Sequence, residues 1–393
     1  MEKVLTVQEH RLACRGVAKR LREGKALPPT VPTLRSDGGL SEPQTWDLEI
    51  DVCERVDRQL RSIADALAWR IFSYDRRVIV APSRNDPSGQ MAGKAGLQAE
   101  RDFIAQWADD EDHFVLMHDL TTCLRIGDAT LFKSLSKEYE AYLYEIKTDV
   151  NRRRSKQLRR NKLAEEALRD GGPLPDDPEG HFVALNVPYK THLSMLRDAF
   201  TMATDRGVVG MKVPGGRVMF AADLRRGYEC WSEEEFLEQT GRAYESALRR
   251  AGILDVGQYL FFGSDDMAAR SPIHPPWAIY PLNPVACANL ITDASVYVVT
   301  VSSDSLLRAL QSVGLHADWV LPPSQEKLKS GQVVLRAHND IRGVEIKASD
   351  MQRLLLELLD IRTWAQSVRE LLTLEDLSGH PWPYDVDEGK DWA

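Results

Sequence analysis

Residues 125–132 read RIGDATLF and residues 144–148 read YEIKT, and these two stretches decide how the middle of the chain folds. Alternate residues of a β-strand share a face, so Glu145 and Lys147 are predicted to point one way and Tyr144 and Ile146 the other. The interval between Asp128 and Glu145 leaves room for a short strand, a turn and a returning strand. Asp128 is therefore predicted to lie beside Glu145 on a neighbouring strand.

This arrangement would bring two carboxylates to one point of a sheet, where they repel each other unless a cation lies between them. Mg²⁺ supplies that charge and prefers oxygen ligands, and Mn²⁺ is the alternative ion. A nearby lysine would help to neutralise charge that builds up on a phosphate, and the metal would lower the pKa of a water molecule. The pattern thus indicates hydrolysis of a phosphodiester bond.

The surrounding residues predict an α/β core with a mixed sheet, in the order helix, three strands, helix and strand. The predicted elements are a helix over 94–107, strands over 114–126, 129–132 and 141–147, a helix over 151–169 and a strand over 181–187.

At these residues the chain resembles the PD-(D/E)XK nuclease superfamily, over residues 93–187 or about a quarter of its length. The resemblance implies a restriction-endonuclease-like αβββαβ core and a role for each matching residue. Asp128 and Glu145 would bind the metal, together with the carbonyl of Ile146, and Lys147 would be the catalytic lysine. Glu100 would be a helical metal ligand, and Gln157 resembles a glutamine that several branches carry on the following helix. Gly127 stands where the family has proline, and Asp119 is a rival for the role of Asp128.

The predicted helix after the third strand is strongly basic, although the whole chain has a formal net charge of −9. Such a helix could bind a phosphate backbone, although a solvated helix face is the plain alternative. The acidic total argues against a protein that coats nucleic acid indiscriminately. The candidate DNA-binding residues are Arg152, Arg153, Arg154, Lys156, Arg159, Arg160 and Lys162.

Other patterns limit the alternatives. The five cysteines are scattered without a C-x-x-C pair, which predicts reduced thiols rather than a thiolate-bound zinc site. In the second E-x-K stretch, at residues 345–347, the nearest upstream aspartate is Asp340. On one extended strand it would lie roughly 16 Å from Glu345, too far to share an ion, so the stretch is interpreted as part of a cross-strand ion pair. No apolar run is long enough to span a bilayer, and no secretory signal is evident, so the default expectation is a cytoplasmic protein.

The sequence predicts three regions: an N-terminal helical region with a proline-rich linker at 1–90, a nuclease domain at 91–230, and a mixed α/β region of unknown role at 231–393. The leading hypothesis is a Mg²⁺-dependent (endo)deoxyribonuclease, which the resemblance associates with phage defence or mobile elements. The alternatives are a non-catalytic nucleic-acid-binding or assembly subunit and an RNA nuclease. No P-loop is present in the sequence, so a helicase or ATPase activity would come from a partner chain. The sequence leaves open whether the chain forms a homo-oligomer.

Overall fold

The computed structural model describes residues 1–34, 39, 41–72, 74, 76, 79, 90–125, 127–134, 139–144, 146, 159–160, 162–164, 166, 185–188, 190–254, 259–264, 276–321 and 331–373. The chain is of the mixed α/β class and divides into two compact units. The first comprises Met1–Leu168 and Leu174–Glu179, and the second Arg169–Pro173 and Gly180–Ala393. None of the described helices is long and apolar enough to cross a membrane.

The first unit begins with two long helices that pack against each other, followed by a shorter helix and a three-stranded sheet. Its elements are α1 (Glu2–Arg22), α2 (Pro43–Ile71), α3 (Leu97–Trp107), β1 (His113–Met117), a 3-10 turn (His118–Leu120), β2 (Ala129–Ser134) and β3 (Tyr139–Tyr144). The strand order is β1-β2-β3, and both pairings are antiparallel.

The long helices form where the sequence places apolar residues at helical spacing. Cys14, Val17 and Ala18 of α1 pack on Trp46 of α2, and all four are buried. Pro43 lies at the start of α2, where a proline costs no helical hydrogen bond. Helix α2 also carries fully or nearly buried polar side chains, which is unusual for a helix whose other face is in water.

The second unit is built on two antiparallel sheets and the helices around them. Its elements are α4 (Leu193–Arg206), β4 (Val208–Val213), β5 (Arg217–Asp223), α5 (Leu224–Cys230), α6 (Glu233–Arg250), β6 (Tyr259–Gly263), a 3-10 turn (Trp277–Ile279), α7 (Pro284–Ile291), β7 (Ser295–Ser302), α8 (Ser303–Ser312), β8 (His316–Trp319), β9 (Val333–His338), β10 (Gly343–Lys347), α9 (Ala348–Leu356) and α10 (Ile361–Thr373).

The strand orders of the two sheets are β4-β5-β7-β6 and β10-β9-β8. Every residue of the central strand β5 is buried, and two helices, α4 and α6, pack against β4 and β5. Gly210 permits the close approach of β4 to α6, because a Cβ atom there would lie 2.6 Å from the Ala243 carbonyl oxygen.

The structure differs from the sequence-based expectations in four respects. The strand predicted over 114–126 ends at Met117, because the next three residues form a 3-10 turn. The described strand pairings are all antiparallel, so the predicted mixed sheet is not found among them. Of the strand predicted over 181–187, residues 185–187 are not extended in a sheet and 181–184 lie outside the described residues. Finally, α1 and α2 belong to the same unit as the sheet, and the hairpin β4–β5 belongs to the second unit rather than to the predicted 91–230 domain.

Candidate functional site

Three carboxylates of the first unit converge on the ammonium group of Lys94. Its Nζ lies 2.7 Å from Asp119 Oδ2 and 3.5 Å from Asp128 Oδ1, and it directly contacts Glu100. The three acidic residues come from α3, from the 3-10 turn after β1 and from the residue before β2. We refer to Glu100, Asp119 and Asp128 as the carboxylate cluster.

Glu100 is the most deeply placed member of the cluster. It is 1% exposed and is the only fully buried residue of α3, so the most deeply buried side chain of this helix is acidic. Burial raises the pKa of the Glu100 carboxyl, and contact with the Lys94 ammonium lowers it in part. A buried acid normally needs a cationic partner, which here is Lys94.

Lys94 is held in its charged form by the same contacts. Burial alone would lower the pKa of its ammonium group, but the hydrogen bonds that it donates to Asp119 and Glu100 outweigh that effect and raise the pKa above the ordinary value. If all four groups are ionised, two negative charges stay uncompensated. A divalent cation would neutralise these two negative charges.

Asp128 is fixed by four contacts. Its backbone N–H donates to the Tyr144 carbonyl at 2.8 Å, and its carbonyl accepts from the His118 N–H at 3.0 Å. Its Oδ2 atom accepts from the Ile146 N–H at 2.8 Å, and Oδ1 faces Lys94. Both neighbouring segments of the sheet therefore hold the Asp128 backbone, and the Ile146 N–H and the Lys94 ammonium orient its carboxylate.

The turn before Asp128 explains why glycine stands at residue 127. Gly127 has a φ of 71°, whereas the ring of proline holds φ near about −65°, so proline could not adopt this conformation. The buried imidazole of His118 contacts the Gly127 carbonyl at 3.1 Å through Nδ1 and the Thr130 hydroxyl at 2.7 Å through Nε2. These bonds fix the turn on the side of β1.

The two N-terminal helices hold the segments that carry Lys94 and Asp119. Arg61 of α2, 2% exposed, donates through Nη1 to the carbonyls of Asp119 at 2.6 Å and Thr121 at 3.2 Å, and through Nε to Asp57 at 3.1 Å. Gln8 of α1 donates to the other Asp57 oxygen at 3.1 Å.

The same chain of bonds reaches the segment before Lys94. The Gln8 side-chain oxygen accepts from the backbone N–H groups of Met91 and Ala92, at 2.9 and 3.1 Å. On the other side, the Asp65 carboxylate accepts from the Thr122 N–H and hydroxyl, both at 2.6 Å. Buried polar side chains of α1 and α2 are thus the supports of the carboxylate cluster.

The structure brings together only some of the residues that the sequence singled out. Asp128, Asp119 and Glu100 lie in one cluster, so Asp119 and Asp128, the two candidates for one role, both face Lys94. Ile146 lies at the cluster, where its backbone N–H donates to the Asp128 carboxylate. Glu145, Lys147, Gln157, Arg152, Arg153, Arg154 and Lys156 lie outside the described residues.

Of the basic residues, Arg159, Arg160 and Lys162 are described and have helical backbone. Arg159 and Lys162 are exposed, and Lys162 lies 3.5 Å from Glu166 one turn later. The second E-x-K stretch behaves as the sequence predicts for an exposed strand face. Glu345 lies opposite Arg336 of β9, with Nη2 and Oε1 2.9 Å apart.

The sequence analysis missed Lys94, Arg61 and Gln8. A signal for Lys94 existed, because a lysine just ahead of a helix N-terminus is unfavourable with the helix dipole and implies another anionic partner. No local signal distinguishes Arg61 from the other arginines of α2. Compared with protein-family models, curated proteins and solved structures, the chain matches none of them.

Proposed function

We propose that this chain is a divalent-metal-dependent nuclease that hydrolyses phosphodiester bonds in DNA, with a restriction-endonuclease-like core in its first unit. The observation that carries the proposal is the convergence of Glu100, Asp119 and Asp128 on one cation. A structural ion pair needs one carboxylate for one ammonium, whereas three carboxylates on one lysine leave an excess of negative charge that a metal would balance.

The carboxylate cluster fits a hard divalent ion. Its donors are carboxylate oxygens, which Mg²⁺ and Mn²⁺ prefer. The ammonium group of Lys94 lies among them and supplies one positive charge. Glu100, Asp119 and Asp128 would hold the ion, with Glu145 as a further ligand from the adjoining segment. When bound, Mg²⁺ would supply an activated water molecule and neutralise charge on the phosphate.

The remaining chemistry falls to the side chains around the cluster. Lys94, whose acidic neighbours favour its protonated form, would donate to a phosphate oxygen if the three carboxylates held a metal. Lys147 is the second candidate for this role, since it follows Ile146, whose N–H contacts Asp128. The exposed cations Arg159 and Lys162 support DNA as the substrate, because lysine and arginine side chains neutralise the phosphates of a nucleic-acid backbone.

Lys147→Ala is expected to abolish Mg²⁺-dependent nicking of a supercoiled plasmid while the protein stays folded. The loss of an ammonium that meets the developing charge should lower the rate by roughly 10²–10³-fold. Lys3→Ala is the matched control, because it removes an exposed lysine of α1, and this variant should cleave DNA at the wild-type rate. Full cleavage by Lys147→Ala would exclude Lys147 as the catalytic lysine and leave Lys94 in that role. DNA binding without any cleavage by the wild-type chain would instead indicate a non-catalytic binding subunit, and a preference for RNA an RNA nuclease.

Lys94→Met tests the carboxylate cluster without a nuclease assay. Without the ammonium, the three carboxylates repel one another, and we expect the metal-free protein to lose about 2 kcal/mol of unfolding free energy, between the values for exposed and buried ion pairs. Added Ca²⁺ should restore most of that loss, so the Ca²⁺-induced rise in melting temperature should be larger than in the wild type. The absence of any Ca²⁺-induced rise in Lys94→Met would show that no divalent ion binds among these carboxylates.

A further inference from the structure

A second group of ligand atoms lies between the two N-terminal helices, away from the carboxylate cluster. His10 of α1 and Glu49 and Cys53 of α2 each bring one ligand atom into a group whose members lie within 4.8 Å of one another. Glu49 and Cys53 are 0% exposed, and His10 is partly exposed, with its Nε2 atom 2.8 Å from Glu49 Oε1.

The helix pair presents these side chains by its periodicity. Glu49 and Cys53 are four residues apart on α2 and therefore share one face, and His10 meets them from α1. Cys14 lies one turn beyond His10, on the same face of α1, and is also fully buried. Cys14 packs in an apolar cluster with Val17, Ala18 and Trp46 and is not a member of this group. The two packed helices thus bring together one histidine, one glutamate and one cysteine.

The chemistry of the group differs from that of the carboxylate cluster. Imidazole, thiolate and carboxylate together are the ligands of borderline-soft ions such as Zn²⁺, whereas Mg²⁺ takes oxygen donors. A thiolate and a carboxylate carry two negative charges, which a divalent ion neutralises in a place where an uncompensated charge would be costly. Without a metal, the same residues form a hydrogen-bonded His–Glu pair beside a buried thiol.

We propose that His10, Glu49 and Cys53 bind a transition-metal ion of the Zn²⁺ class that ties α1 to α2. The scattered cysteines of the sequence gave no such indication, because the ligands come from two helices joined by a long segment. This site does not depend on the proposed nuclease activity. Its role is structural, since its ligands lie within the helix pair that supports Lys94 and Asp119.

The test is metal analysis and cobalt substitution of the full-length chain. We expect about one equivalent of tightly bound zinc after purification, and a near-ultraviolet sulfur-to-metal charge-transfer band after replacement by Co²⁺. Cys53→Ser should abolish or strongly weaken this band, whereas Cys230→Ser, which alters an exposed cysteine of the second unit, should leave it unchanged. His10→Asn, at a partly exposed position, serves if Cys53→Ser fails to fold, and should lower the zinc content.

Two results would overturn the proposal. One is a folded wild-type chain that neither retains zinc nor develops the charge-transfer band with Co²⁺. The other is a band that persists in Cys53→Ser. Asp128→Asn should keep the band, because the carboxylate cluster contains no sulfur ligand, and this separates the site from the nuclease proposal.

Discussion

Asp128→Asn is expected to remove metal-dependent DNA cleavage almost completely while the fold is retained. The amide has nearly the same shape as the carboxylate, and its oxygen can still accept the Ile146 N–H hydrogen bond that holds the two segments of the sheet together. What it lacks is the negative charge that the proposed metal requires. The expected loss of rate is at least roughly 10²–10³-fold, the effect of removing one electrostatic group from a catalytic site.

The measurement is the rate of plasmid nicking at saturating Mg²⁺, together with the melting temperature of each variant. Asp102→Asn is the matched control, because Asp102 lies exposed on α3 near Glu100, outside the carboxylate cluster, where it accepts a hydrogen bond from Gln98. Asp128→Asn should also weaken Ca²⁺ binding, which links the loss to the metal and not to DNA contact. If Asp128→Asn cleaves DNA at the control rate, the carboxylate cluster is not the catalytic centre.

The part of the site that the sequence predicts is the part that depends on local pattern. The step from Asp128 to the YEIKT stretch predicts two adjoining strands, and in the structure Ala129 pairs with Tyr144. The helix that carries Glu100 also forms close to its predicted bounds. Alternation and helical spacing are properties of neighbouring residues, so a single sequence is enough to find them.

The part that the sequence does not predict depends on residues far apart in the chain. The apolar pattern after Phe114 suggests one long strand, but the chain turns at His118, and Arg61 binds the carbonyls of Asp119 and Thr121 from 58 and 60 residues away. Lys94 likewise becomes significant only when Asp119 and Asp128, 25 and 34 residues away, join Glu100 around it. No periodicity along the chain records these contacts, because most of them join segments that are far apart in sequence.

Arg61→Ala is expected to destabilise the first unit and to disturb the carboxylate cluster without altering any of its three side chains. The change leaves the nearly buried Asp57 carboxylate without its cationic partner and removes the donors to the Asp119 and Thr121 carbonyls. Breaking a buried ion pair by removing one partner costs roughly 3–5 kcal/mol, which urea denaturation would measure. Arg58→Ala, which alters an exposed arginine of the same helix, should cost far less.

A double variant, Arg61→Met with Asp57→Leu, separates stability from positioning. Replacing both charges by apolar side chains of similar size removes the unpaired charge, so part of the lost stability should return. The carbonyl of Asp119 would still lack its donor, however, and its side chain would no longer be held toward Lys94. We therefore expect Ca²⁺ affinity and cleavage rate, measured well below the melting temperature, to stay reduced in the double variant. Recovery of both together with stability would show that Arg61 supports the fold alone and does not position the carboxylate cluster.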